Sequence, residues 1–194
     1  MLSFQRALNS ITVAAFLSML TTGISYAVDD GFSAEGKIEG KHFTVYYAPG
    51  VFPAELNQQL NLGVAESLLT GRSTERVFSA EAELANALDT IFTEVCNILD
   101  MQLYSFHGHI KICRGYAQLN TIYRDFFHKD LGTRSFYAYN LNTIYTSADN
   151  FKLGIIGHEI AHLIISHYFI VLPSVRVQEV LAMYVEYQLK RAVQ

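Results

Sequence analysis

Residues 153–169 read LGIIGHEIAHLIISHYF, a strongly apolar run that carries His158, Glu159 and His162 near its middle. Leaving one buried polar group without a partner costs about 1–3 kcal/mol, and an unpaired charge costs more. Three such residues in a core helix therefore need a shared partner. The surrounding Ile155, Ile156, Ile160, Leu163 and Ile164 fit a core helix with one polar spot. That helix is expected to begin between Ser147 and Asn150, where several residues could cap it, and to end near Phe169. Gly154 and Gly157 each cost about 1 kcal/mol relative to alanine in a helix interior. Close packing of the helix on a sheet accounts for them.

His158 and His162 are four apart, so on a helix they lie about 40° apart around the axis and about 6 Å along it. Two imidazoles so placed can grip one zinc ion from the same side. Glu159 beside them can reach a water on that zinc. The pattern is H-E-x-x-H, the spacing of zinc hydrolases. Zinc brings the pKa of its water to about 7, and the glutamate takes the proton. His167 is turned about 140° from His162 and is not expected to be a ligand. Glu179 supplies a third ligand: it follows His162 by seventeen residues, on a helix that begins after Pro173. Three protein ligands and one open position, holding one zinc per chain, form the catalytic rather than the structural arrangement.

HEIAH followed by QEVLAMYVEY resembles the gluzincin metallopeptidases, especially the small peptidase MA-like domains, and the aminopeptidase pattern HExxH…NEGFAxYVEY. The matching positions are His158, Glu159, His162, Glu179, Ala182, Tyr184, Val185 and Glu186. KHFTVYYAPG (residues 41–50) is similar to the opening strand of peptidase MA-like proteins. The resemblance implies a zincin-like mixed sheet packed on helices. Zinc would sit on His158, His162 and Glu179, Glu159 would be the general base, and an edge strand within 134–146 would receive an extended peptide. Val180 stands where the family has glycine. Met183 stands where some relatives place an aspartate that orients a ligand histidine. Glu186 shares a helix face with Glu179; it reads equally as a partner to a ligand or as a solvated carboxylate. Larger relatives draw an oxyanion donor from a C-terminal lobe. With the chain ending at Gln194, the candidates are Tyr184, Tyr168, Tyr187, Tyr137, His128 and Arg134, and nothing in the sequence selects one. The expected function is that of a zinc-dependent metallopeptidase acting on peptides or proteins. The alternative is a catalytically inactive zinc-binding protein of the same fold, acting as a binding or assembly module.

Elsewhere the pattern predicts strand, two helices, strand, helix, hairpin, helix, helix. Phe43, Val45 and Tyr47 alternate in a half-buried strand ending at Pro49-Gly50, after a flexible lead-in over 28–36. Leu56, Leu60, Val64 and Leu68 mark a helix ending near Gly71. A second helix follows Ser79, with Leu84, Leu88, Ile91, Val95, Ile98 and Leu99 on its apolar stripe. HGHIKIC (107–113) reads as a strand with Ile110 and Ile112 inward and His107, His109 and Lys111 facing solvent. YAQLNTIYRDFF is a short helix, and a hairpin turns around Asn140–Asn142. The last helix spans about 175–191. This mixture is α+β.

The chain has 194 residues, which suits one domain. Arg6, the apolar run Ile11–Leu20 and Ser25-Tyr26-Ala27 read as a secretory signal peptide over residues 1–27. Residues 28–194 would then form the secreted or periplasmic domain. Without Arg6, 13 basic residues face 18 acidic ones, a net charge of −5. No basic block is present, so nucleic acid is not an expected partner. No second apolar run is long enough to span a bilayer. An oxidising compartment would permit a disulfide between Cys96 and Cys113; two buried free thiols are the other reading.

Overall fold

The computed structural model describes residues 30–60 and 79–192. The expected signal peptide, and Val64, Leu68 and Gly71 of the first expected helix, lie outside the described residues. The described elements run β1 (Gly36–Glu39), β2 (Phe43–Tyr47), α1 (Pro53–Leu60), α2 (Ala80–Leu99), β3 (Gly108–Cys113), α3 (Tyr116–Phe127), β4 (Ser135–Ala138), β5 (Thr143–Ser147), α4 (Leu153–Tyr168) and α5 (Val175–Ala192). The class is α+β with a mixed five-stranded sheet in the order β1-β2-β3-β5-β4. β2, β3 and β5 run parallel, and the two edge strands β1 and β4 pair antiparallel with β2 and β5.

Each helix follows from its local chemistry. The Ser79 side chain accepts a hydrogen bond from the backbone N–H of Ala82 at 3.3 Å and caps α2, whose stripe Leu84, Leu88, Ile91 and Val95 is buried. Asp89 on α2 accepts the N–H groups of Lys41 and His42 at 2.8 and 2.7 Å, which pins the β1–β2 turn to the helix. The hairpin forms where expected: a 3₁₀ turn over Tyr139–Leu141 ends at Asn142, whose φ of 48° is left-handed. Asparagine tolerates that conformation better than most side chains. α4 begins at Leu153, after a separate 3₁₀ turn over Ala148–Asn150, rather than within it.

The sheet has a core on each face. β2, β3 and β5 send Phe43, Val45, Ile110, Ile112 and Ile144 into a large cluster shared with α1, α2, α4 and α5. The opposite face carries a second cluster under α3: Cys113, Leu119, Ile122, Phe136 and Tyr145. Two expectations are corrected here. The face of β3 bearing His109 and Lys111 is not simply solvent-facing: both side chains are half-buried, and Lys111 forms an ion pair with the buried Asp30. The lead-in is also more ordered than expected. Asp30 accepts hydrogen bonds from Lys111 and from the buried Tyr145 hydroxyl, and β1 starts at Gly36. Cys96 and Cys113 are both free and buried, and they lie in different clusters on opposite faces of the sheet. The sheet stands between the two thiols.

Candidate metal centre

α4 and α5 form a helical hairpin, and α4 also packs on α2 and β4. Gly154 and Gly157 face α5 rather than the sheet. A Cβ on Gly157 would lie 2.1 Å from Leu189 Cδ1, and one on Gly154 would lie 2.7 Å from Lys190 Cε. The missing side chains are what let the second helix approach. That approach carries Glu179 over the HExxH turn.

His158 Nε2 and His162 Nε2 are 3.1 Å apart. The Glu179 carboxylate oxygens stand 3.7 Å from the first and 3.4 Å from the second. Ligands bound tetrahedrally to zinc at about 2.0–2.1 Å are separated by roughly 3.4 Å. The two imidazole nitrogens, with one Glu179 oxygen turned to each, are thus spaced close to what one such ion requires. The three residues are also the one group of three or more His, Cys, Asp or Glu, among the described residues, whose donor atoms converge within 4.8 Å. Burial, with the charge of His158 added, holds the His162 imidazole below its ordinary pKa, against the pull of Glu179. A neutral imidazole is the form that binds metal.

His158 Nδ1 is buried and makes no hydrogen bond. Glu186 Oε2 stands 3.5 Å from it, and Glu186 also accepts from Lys190. Glu159, Glu179 and Glu186 thus gather around two imidazoles, with Lys190 the one lysine or arginine that pairs with any of them among the described residues. A divalent cation fits that excess of negative charge.

Glu159 is buried and points into a cleft of about 360 Å³ that also exposes His158, His162 and Glu179. Burial pushes its carboxyl up to about 7; the hydrogen bond from Ser135 opposes that rise, and the charge of Glu179 adds to it. Ser135 Oγ donates to Glu159 Oε1 at 2.5 Å. Sequence reasoning missed Ser135. It lies on edge strand β4, twenty-four residues before its partner, and nothing in its surroundings marks it.

Tyr137, Tyr139, Ser166 and Gln178 also line the cleft. Tyr137, one of the six expected oxyanion candidates, has its phenol pushed up to about 12 by burial, and so remains a protonated donor. The other five do not line the cleft. Tyr168 and Tyr184 are each 48% exposed, and Tyr187 is 60% exposed. His128 ends α3 in a left-handed conformation, and Arg134 donates to Asn150 at 3.1 Å.

The chain matches no protein-family model. No curated protein and no solved structure is significantly similar to it.

Proposed function

We propose that this protein is a zinc-dependent metallopeptidase of the zincin-like type. The observation that carries the reading is the convergence of His158, His162 and Glu179: the two Nε2 atoms are 3.1 Å apart, and one Glu179 oxygen stands 3.7 Å from the first while the other stands 3.4 Å from the second. These three residues would hold the ion. When bound, zinc supplies a Lewis acid that acidifies water and polarises a carbonyl. Glu159 would take a proton from the attacking water at its carboxylate and hand it to the departing amine as the C–N bond breaks. Ser135 fixes the rotamer of Glu159 through the hydroxyl donated to Oε1. Tyr137, uncharged and facing the cleft, would serve an oxyanion by turning its hydroxyl from Asn142 Oδ1, to which it donates at 3.3 Å. The peptide would lie along β4, the strand at the edge of the sheet that contributes Ser135 and Tyr137 to the cleft wall.

Elemental analysis of the purified protein tests the reading. About one zinc per chain is expected, lost in His158→Ala and Glu179→Ala. Glu159→Gln should keep its zinc and lower turnover of a peptide library by about 10²–10⁴-fold. Stoichiometric zinc without Glu159-dependent turnover would mean a catalytically silent zinc-binding module. No zinc, even when it is offered, would end the metal reading.

A further inference from the structure

We propose that the outer face of α5 and the turn before it form a docking surface for an anionic membrane. Ten of the fifteen large apolar side chains exposed among the described residues fall between Tyr168 and Tyr187. Ile170 is 103% exposed and Val171 83% exposed, at the tip of the α4–α5 turn. Along α5, Val177, Val180, Tyr184 and Tyr187 recur at spacings of three and four, so they form one stripe. The opposite stripe, Ala182, Val185 and Leu189, is buried in the core. The helix is thus apolar on two faces, and the described residues cover only one. Single exposed hydrophobes are ordinary, whereas a continuous run of this length marks an interaction surface.

Charge selects the occupant. Arg176 and Arg191 are exposed at the two ends of the same stripe, and neither has an ion-pair partner among the described residues. The carboxylates of α5 point away from this stripe: Glu179 faces the histidines, and Glu186 pairs with Lys190. The outer face is therefore apolar and basic on a chain whose net charge is −4. A second copy docked through a two-fold axis would set Arg176 against Arg191 if the helices ran antiparallel. It would set each arginine against itself if they ran parallel. Neither arrangement offers a carboxylate in compensation. An anionic bilayer supplies both needs: acyl depth for Ile170 and Val171, and phosphates for the arginines. Among the described residues no helix is long and apolar enough to cross a membrane, so α5 would lie in the interface.

The chain contains no tryptophan, which makes a local reporter simple. Val171→Trp places a single fluorophore at the turn, with Ile170→Trp as a second variant should the first misfold. Phe52→Trp, outside the patch, is the control. The full chain is mixed with phosphatidylcholine vesicles, with and without phosphatidylglycerol. The expected result is a blue shift, with quenching by brominated acyl chains, at position 171 and not at 52. It should need the anionic lipid, weaken with salt, and fall in Arg176→Glu/Arg191→Glu. Four results would overturn the proposal. No shift with any vesicle leaves the surface to a protein partner. Equal shifts at 171 and 52 place membrane binding elsewhere. A shift that grows with protein concentration without vesicles assigns the patch to a second copy. Emission already blue at every concentration means that another part of this chain covers it. Zinc content is read separately, so none of these outcomes bears on the metal site.

Discussion

Glu186 Oε2 stands 3.5 Å from His158 Nδ1, on the side of the imidazole away from Glu179. On the proposed reading, a carboxylate in that position would orient the ring and raise the basicity of the nitrogen that faces the ion. Glu186→Ala is therefore expected to weaken zinc binding by about 10–100-fold. Competition with a chelator of known affinity measures it. An unchanged affinity would return Glu186 to the role of a surface carboxylate paired with Lys190.

Ser135→Ala should separate chemistry from metal binding. The hydroxyl touches Glu159 and none of the three ligands. Its loss is expected to lower kcat by about 10-fold or more, with zinc content and KM little changed. A wild-type kcat would show that the buried carboxylate is held well enough by packing alone.

Gly157→Val tests the approach of the two helices. The new Cβ would meet Leu189 Cδ1 at 2.1 Å, on a side chain that is 4% exposed. Overpacking of this kind costs about 1–3 kcal/mol. Thermal unfolding should register a lower Tm, and Leu189→Ala in the same chain should restore part of it. A full-strength Tm in the single variant would mean that α5 shifts freely.

Asp30 gives the fold an acid-sensitive contact. Burial alone would raise its carboxyl, but hydrogen bonds from Lys111 and Tyr145 outweigh burial and hold it below 3.8. A depressed folded pKa adds stability above the unfolded value and loses it as pH falls through the folded one. Asp30→Asn is thus expected to destabilise by about 1.5–3 kcal/mol at neutral pH. The gap from wild type should narrow below about pH 4. Urea midpoints at both pH values measure it, and a gap that stays constant would remove Asp30 from the acid response.

The helix bearing His158 and His162 was legible because its helical period and ligand spacing lie in one unbroken run. Glu179 was legible because its distance along the chain and the Pro173 break suggested a second helix folding back. Ser135 was not, since strand pairing across a sheet leaves no periodic trace at a single serine. β1 escaped for a related reason: Ile38 is its one buried residue, too little for an alternation to register. The faces of β3 were half read. The alternation of Ile110 and Ile112 was plain, but the second layer over Lys111 and Cys113 depends on α3 and on Asp30, which arrive from distant parts of the chain. The glycines signalled close approach correctly, but the partner that approaches is α5 and not the expected sheet.

The connection between α4 and α5 also bears on the order in which the protein assembles. His158, His162 and Glu179 all lie within one helical hairpin, separated by a turn of six residues, 169–174. Contacts so near in sequence cost little loop-closure entropy and form early. Ser135 joins Glu159 only after β4 has paired with β5 and docked on α4. An ion captured by the nascent hairpin would staple it before the sheet is complete. A chain whose edge strand has frayed would keep every ligand and lose the group that steadies its base. On the proposed reading, metal retention and competence for chemistry would thus be set by different folding events, one local and one long-range.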